Sequence, residues 1–185
     1  MPDPIAALER SYDQLAKVVA NLSPDQLTLP TSCPDWDVRG LLNHTLGGGL
    51  MYALVNDGQV AGEDQGDVAG DDPVGAVART ADVNVPSWRA DGALDGDRTY
   101  PWGTFPAGVG LLVNVGEIAV HAWDLAEATG QRATIDEDTA WLVYELYANL
   151  PMDELRAGGV YGAEIPVPET APVSDRLLGL LGRQP

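Results

Sequence analysis

Apolar side chains recur at helical spacing in the first segment of the chain. Between about Pro4 and Leu22 they are separated by three or four residues: Ile5, Leu8, Tyr12, Leu15, Val18, Val19 and Leu22. This spacing predicts an amphipathic helix with one face in a core. Ser23-Pro24-Asp25 and the proline-bracketed stretch 29–34 follow it and predict a turn and an extended connection.

Two further helices are predicted in the first half of the chain. One begins near Asp35 or Asp37, where a carboxylate can cap the helix N-terminus, and runs to about Asn56. Residues 57–72 alternate acidic residues with glycines and have few apolar side chains, which predicts a mobile surface loop. The next helix is predicted from Pro73 to about Ala90, with Pro86 kinking it or ending it early.

The middle of the chain predicts an irregular segment before a long helix. Residues 91–108 are rich in glycine and proline and contain three aromatic residues that we expect to be buried, Tyr100, Trp102 and Phe105. A fourth helix is predicted from about Ala107 to Thr129, followed by Gly130, which favours the left-handed conformation of a helix C-terminal cap.

The last third predicts shorter elements around the same core. A helix is expected from Asp136 to about Asn149, followed by an extended tail and a final helical turn at Asp175 to Leu181. A chain of 185 residues with 45% hydrophobic residues can build one substantial core. We therefore predict an all-α fold in a single domain spanning residues 1–185.

Charge and targeting signals narrow the classes of partner and location. The chain has 28 acidic and 10 basic residues, so its surface repels phosphate backbones and anionic lipid, and nucleic acid is not expected as a partner. We find no long apolar run and no basic leader, and the single cysteine cannot form an internal disulfide. These features predict a cytoplasmic protein without membrane spans, and the aromatic surface of so small a bundle suggests a homodimer.

The two histidines are the residues most indicative of chemistry. Glu117 and His121 are four residues apart on the fourth predicted helix, so their Cβ atoms lie about 5–6 Å apart on one face. Val113 and Leu125 continue that face, which should point into the core. His44 projects from the second helix. Two imidazoles and one carboxylate form a ligand set of catalytic zinc sites, with a fourth position left open, and helical bundles build such sites in their cores.

A metal-free interpretation of these residues is also open. His44 would then be a satisfied core histidine, and Glu117 would accept a hydrogen bond from either imidazole. The acidic run from Glu63 to Asp72 lacks the spacing of a calcium-binding loop and indicates solvated surface.

Other residues near the predicted site have two interpretations each. Gly47-Gly48-Gly49 lies inside the second helix and indicates either tight packing, which we favour, or a gap for a ligand. Trp36 and Trp123 are expected to be core anchors rather than substrate platforms. Cys33 is expected to be structural, and Arg39 to form a surface ion pair rather than to bind an anionic substrate.

Three segments resemble a known family: LPTSCPDWDVRGLLNH at residues 29–44, EIAVHAWDLA at 117–126 and DRLLGLLGR at 175–183. They are similar to the mycothiol-dependent maleylpyruvate isomerase N-terminal-domain branch of the DinB-like superfamily. The resemblance implies a four-helix bundle, with extra short C-terminal helices here, that holds a divalent metal through His44, Glu117 and His121. The ion is usually zinc; nickel or another transition metal is an alternative. The isomerase carries a further C-terminal domain, so a chain of this length is expected to be a stand-alone form.

The expected chemistry combines the metal with a low-molecular-weight thiol, mycothiol in the family. A coordinating thiol loses its proton and would attack an electrophilic small-molecule substrate, as in a transferase or isomerase. Asp124 is the candidate for a carboxylate that hydrogen-bonds the other ring nitrogen of a ligand histidine. Two alternatives remain: a hydrolase in which water replaces the thiol, and a non-catalytic metal-binding or regulatory module.

Overall fold

The computed structural model describes residues 2–62 and 66–185. In this part of the chain the helices are α1 (Pro4–Ala20), α2 (Val38–Asn56), α3 (Pro73–Arg89), α4 (Ala107–Ala128), α5 (Glu137–Tyr147), α6 (Met152–Ala157) and α7 (Val173–Leu180). A short 3-10 helix spans Pro24–Thr28, and two strands, β1 (Asp97–Tyr100) and β2 (Gly103–Pro106), form an antiparallel hairpin. The predicted all-α helical bundle is confirmed, with this hairpin as its small β addition.

Four helices form the bundle. Helix α1 packs against α3 and α4, and α2 packs against the same two helices from the other side. Their inward faces carry large side chains that are almost completely buried: Leu8, Leu15, Leu41, Leu42, Leu46, Ile118 and Leu125. Helix α5 covers α1 and α4, and α7 packs on α5. Burial of these apolar faces is the main force that holds α2 beside α4, and this pair carries the predicted site.

Helix α2 begins and ends as the sequence predicts. The Asp37 carboxylate accepts a hydrogen bond of 2.8 Å from the backbone N–H of Gly40, so it caps one of the N–H groups that lack a partner within the helix. The helix ends at Asn56. The cap fixes the start of the helix two turns before His44.

Helix α3 continues through Pro86, so the expectation that the proline ends it early is wrong. Pro86 cannot donate to the carbonyl of Asp82, one turn earlier, but both residues lie on the exposed face of the helix, where water can satisfy that carbonyl. The last turn is held from the buried face, where the Trp88 indole N–H donates to the Asn114 amide oxygen at 2.9 Å. Tertiary packing therefore outweighs the proline.

The connection from α2 to α3 is a loop in its described part, but its second half is packed on α2. The Asp67 carboxylate accepts hydrogen bonds from Arg39 at 2.6 Å and from Asn43 at 3.0 Å. Ala69 is buried, and its N–H donates to the Asn43 amide oxygen at 2.8 Å. The predicted surface loop is thus bound to α2 over residues 67–70, because Arg39 and Asn43 provide partners that composition does not reveal. Part of the predicted acidic surface run, residues 63–65, lies outside the described residues.

The segment before α4 is more regular than predicted. Strands β1 and β2 pair between residues 97 and 106, and the hydroxyls of Thr99 and Thr104 lie 2.9 Å apart across the pair. Tyr100 is buried as expected, but the expected burial of the other two aromatic residues is wrong: Trp102 is 52% exposed and Phe105 is 38% exposed. The paired positions run from Asp97↔Pro106 to Tyr100↔Gly103, and of these residues Tyr100 is the buried one.

Helix α4 is the one helix among the described residues that is long and apolar enough to cross a membrane. In the structure 78% of its most apolar window is buried inside the bundle. Such burial is typical of a core helix, and it places Glu117 and His121 at the interface with α2. The cytoplasmic location stays a prediction.

Candidate metal centre

His44, Glu117 and His121 lie together between α2 and α4. The Glu117 Oε2 atom is 3.3 Å from His44 Nε2 and 3.4 Å from His121 Nε2. The ligand atoms of the three residues all lie within 4.8 Å of one another. The rings of the two histidines meet edge to face with their centroids 5.4 Å apart. The structure therefore brings together the three residues that the sequence selects, with both Nε2 atoms and one carboxylate oxygen converging on one point.

The spacing of these atoms fits ligands around a metal better than hydrogen bonds. A charge-assisted N–H···O bond is about 2.7–2.9 Å long, shorter than either distance to Glu117. Metal–ligand bonds of about 2.0–2.2 Å at tetrahedral angles separate neighbouring ligand atoms by about 3.3–3.6 Å. The 3.3 and 3.4 Å distances fall in that interval. Glu117 Oε2 is thus as far from each imidazole nitrogen as two neighbouring ligand atoms of a tetrahedral ion are from each other.

The centre opens toward solvent on the His44 side. The His44 side chain is 38% exposed, whereas that of His121 is 10% exposed. The indole ring of Trp36 stacks on the His44 ring, with centroids 4.1 Å apart and an interplanar angle of 19°. Trp36 is itself partly exposed, so its expected role as a core anchor is wrong: it fixes the outer ligand ring. Trp123 is buried, as expected of a core anchor.

Asp124 contacts the other nitrogen of His121. Its Oδ2 atom lies 3.0 Å from His121 Nδ1, and the carboxylate is fully buried. A carboxylate at Nδ1 holds the proton of a neutral imidazole on that nitrogen and leaves the lone pair on Nε2. This contact orients His121 so that Nε2 points to Glu117 and His44, which is the geometry of a metal-ligating histidine.

The charges of the cluster favour a cation at its centre. Burial alone raises the pKa of Glu117, but interactions with the His121 and His44 imidazoles outweigh burial and hold the pKa well below its usual range. Burial lowers the pKa of His121, but the hydrogen bond with Asp124 and the negative charge of Glu117 raise it well above its usual value. Glu117 is thus ionised, and the space between it and the two rings attracts either a proton or a metal ion.

Three tyrosines that the sequence did not single out interact electrostatically with Glu117. Burial, followed by the negative charge of Glu117, raises the pKa of Tyr52, and the same two causes raise that of Tyr161 to about 12. Tyr147 is buried beside Tyr161, with ring centroids 5.5 Å apart. All three phenols therefore stay neutral beside the carboxylate. They lie on three different segments, so no spacing along the chain reveals them.

A second set of ligand-type side chains, Cys33, His121 and Asp124, lies on the Nδ1 side of the same histidine. In this set the positive charge is that of the Arg183 side chain. The Arg183 guanidinium donates to both carboxylate oxygens of Asp124, at 3.1 and 2.9 Å, and to the Cys33 sulfur at 3.6 Å. A metal ion in this position would be repelled by Arg183, so this set is an ion-pair network. Cys33 is partly buried within it, and its structural role stays a prediction.

The structure distinguishes between the two interpretations of the glycine run and of Arg39. A Cβ at Gly49 would overlap the Tyr12 hydroxyl and lie 2.8 Å from Thr80 Cγ2, so this glycine allows close packing, as favoured. A Cβ at Gly48 would meet no atom within 4 Å, so this position has the free space that the alternative interpretation, a gap for a ligand, expects. Gly48 lies one turn beyond His44. Arg39 forms the expected surface ion pair, with Asp67.

Comparison with known proteins places this chain in a family. Two uncharacterized proteins of Mycobacterium tuberculosis, from strains CDC 1551 / Oshkosh and ATCC 25618 / H37Rv, are each 30% identical to it over 184 residues. Each alignment covers 98% of this chain and 98% of the relative. No solved structure matches significantly. The sequence profile of the mycothiol maleylpyruvate isomerase N-terminal domain matches residues 8–126, which include His44, Glu117 and His121, and the chain belongs to that family.

Proposed function

We propose that this protein binds one divalent metal ion, zinc in the first instance, through His44, Glu117 and His121. We further propose that the site serves a low-molecular-weight thiol of the mycothiol type, in a transferase or isomerase acting on an electrophilic small molecule. The observation that carries the proposal is the convergence of the two Nε2 atoms on Glu117 Oε2 at 3.3 and 3.4 Å. Membership of a metal-binding, mycothiol-related family supports it.

The number of ligands supports an open site. Among the described residues the group of His44, Glu117 and His121 offers three ligand side chains. Asp124 is not a fourth, because it contacts the His121 nitrogen that faces away from the centre. Catalytic zinc sites have three protein ligands and one position for water or substrate, whereas structural sites have four protein ligands. The exposed edge of His44 is where an exogenous ligand would enter.

The charge balance supports an anionic partner at that position. A divalent ion and Arg183 contribute three positive charges, and Glu117 and Asp124 contribute two negative charges, if both histidines are neutral. One positive charge remains, which a thiolate would neutralise. A bound divalent ion supplies Lewis acidity, which favours loss of a thiol proton at neutral pH. The residues of the chain hold the ion, orient its ligands and keep a proton on His121 Nδ1.

Elemental analysis tests the metal site. The native protein should contain stoichiometric zinc or another divalent metal after purification without an affinity tag, and His121→Ala should contain none. Glu117→Gln and Glu127→Gln form a matched pair on α4, because Glu127 is exposed and outside the site. Glu117→Gln should lose metal and Glu127→Gln should keep it. Absence of metal from the native protein after incubation with zinc and nickel would contradict the proposal.

A cobalt-substituted protein tests the thiol. Cobalt(II) gives a sulfur-to-metal charge-transfer band when a thiolate binds, so titration with mycothiol should produce the band, and the analogue with serine in place of cysteine should not. Turnover of α,β-unsaturated acids should then require the thiol. Hydrolysis of esters or amides without thiol would instead favour the hydrolase. Metal binding with neither thiol binding nor turnover would favour a non-catalytic module.

A further inference from the structure

The C-terminal turn of the chain reaches the candidate metal centre through a defined helix-ending motif. Helix α7 ends at Leu180, and Gly182 then adopts a left-handed conformation with φ of 82°. The Gly182 N–H donates to the carbonyl of Gly179 at 3.0 Å, and the Arg183 N–H donates to the carbonyl of Leu178 at 2.8 Å. These two bonds are those of the Schellman motif, in which glycine is the usual residue at the left-handed position. The turn places Arg183 over α4.

Arg183 and Asp124 form a buried pair that is joined at two points. The guanidinium Nε donates to Oδ1 at 3.1 Å, and Nη2 donates to Oδ2 at 2.9 Å. The Arg183 side chain is 11% exposed and that of Asp124 is completely buried. Such a pair fixes the plane of the carboxylate as well as its charge, which a single-point contact from lysine does not achieve.

The same carboxylate has its remaining hydrogen-bonding directions occupied. Ser32 donates its hydroxyl to Oδ1 at 2.6 Å, and Oδ2 contacts His121 Nδ1 at 3.0 Å. Because Arg183 and Ser32 hold Asp124 from two sides, its contact with His121 has one geometry. The Nε2 atom of that ring is the atom that faces Glu117 at 3.4 Å. A rotation of Asp124 would therefore move the ligand atom of His121.

We infer that Arg183 is a positioning residue of the metal centre, acting through Asp124 on the ring orientation and proton position of His121. This inference rests on the proposed metal function. It assigns the C-terminal turn to the centre, although Arg183 lies 59 residues beyond Asp124 in the chain. The alternative is that the ion pair only anchors the tail, in which case metal affinity would not depend on it.

Zinc affinity measured by competition with a chromophoric chelator separates these roles. Arg183→Lys keeps the charge and loses the planar two-point contact, and we expect its zinc dissociation constant to rise about 10-fold; for Arg183→Met we expect a rise of about 10–100-fold. The matched control is Arg176→Met on α7, whose guanidinium contacts Tyr144. It should bind zinc as tightly as the native protein. Native affinity in both folded Arg183 variants would overturn the inference.

A double-substitution cycle tests whether the effect passes through Asp124. If it does, Asp124→Asn combined with Arg183→Met should bind zinc no more weakly than Asp124→Asn alone. If the two residues act independently, their fold-changes should multiply, and that result would overturn the inference. The double variant carries no unpaired buried charge, so it remains informative if Arg183→Met alone does not fold.

A metal-free measurement distinguishes failure of the inference from failure of the proposed function. The chain has two histidines, so two-bond ¹H–¹⁵N spectra of the zinc-free protein resolve both rings. Arg183→Lys should change the nitrogen shifts of His121 and leave those of His44 near their native values. Unchanged His121 shifts would overturn the inference. Absence of zinc binding by the native protein would contradict the proposed function, whatever the spectra show.

Discussion

The two ring nitrogens of His121 face two halves of one centre, and the halves balance their charges differently. On the Nδ1 side, Asp124 is fully buried and paired with Arg183, so the anion has its cation within the fold. On the Nε2 side, Glu117 faces His44 and His121, and no lysine or arginine pairs with it in the described part of the chain. We call the Asp124 half the closed half, and the Glu117 half, which is open to solvent at His44, the open half.

This difference distinguishes a structural ion pair from a ligand site. Glu117 is partly buried and has no lysine or arginine partner among the described residues, and moving a carboxylate out of water without such a partner is costly. The Asp124 half supports the fold and orients a ring. We propose that the Glu117 half gains its cation from outside, as a metal ion. The two halves should therefore respond in opposite ways to substitution and to metal.

The largest expected effect is on the closed half without metal. Asp124→Asn should lower the free energy of unfolding by about 3–5 kcal/mol, because it leaves Arg183 buried without its anion. Urea denaturation in the presence of a chelator, followed by circular dichroism, measures this change. Glu117→Gln is the matched comparison on the open half and should cost less than about 1 kcal/mol under the same conditions, because Asp124 remains beside His121 as its anion. Equal costs would remove the distinction between the halves.

Metal should stabilise the protein through the open half. Free zinc at 100 times its dissociation constant should add about 2.7 kcal/mol to the free energy of unfolding of the native protein. Glu127→Gln should gain the same amount. Glu117→Gln should gain little at that zinc concentration, since it has lost a ligand. Denaturation with and without zinc measures all three, and an equal gain in Glu117→Gln would place the ion elsewhere.

The glycine pair in α2 repeats the comparison between open and closed environments. Gly49→Ala should destabilise the protein by about 1–3 kcal/mol, because its Cβ meets Tyr12 and Thr80 in the packed interior. Gly48→Ala should stabilise it by about 0.5–1 kcal/mol, because the site has room and alanine favours the helix. Thermal unfolding of the zinc-free variants checks both signs. Destabilisation by Gly48→Ala would show that the space beside His44 is filled.

The smallest expected effect concerns the outer ligand. Trp36→Leu removes the ring stacked on His44, and a stack worth about 0.5–1.5 kcal/mol corresponds to zinc binding weakened by about 2–10-fold. Trp141→Leu, at an exposed position on α5, is the control and should not change zinc affinity. Equal affinities in the two variants would mean that the stack does not position His44.

Local patterns in the sequence predicted much of the fold and half of the centre. The cap at Asp37 and the spacing of Glu117 and His121 are properties of single helices, so they could be found without tertiary information. The continuation of α3 through Pro86 could not be predicted in this way, because it depends on the burial of Trp88 against another helix.

The closed half was predictable only in part for the same reason. Asp124 lies three residues beyond His121 on one helix, and that spacing indicated the contact. Arg183 reaches the same carboxylate from the end of the chain, and Ser32 from the segment before α2. Neither has a local signal, because the position of the tail is set by the packing of α7 on α5.

A zinc-edge anomalous diffraction measurement on crystals grown with zinc tests the metal assignment most directly. It should give one strong peak within bonding distance of His44 Nε2, His121 Nε2 and the Glu117 carboxylate, with Arg183 still paired to Asp124. A peak on the Nδ1 side of His121, between Cys33 and Asp124, would contradict the assignment of the open half as the metal centre. The absence of a peak near both Nδ1 and Nε2 of His121 would contradict it too.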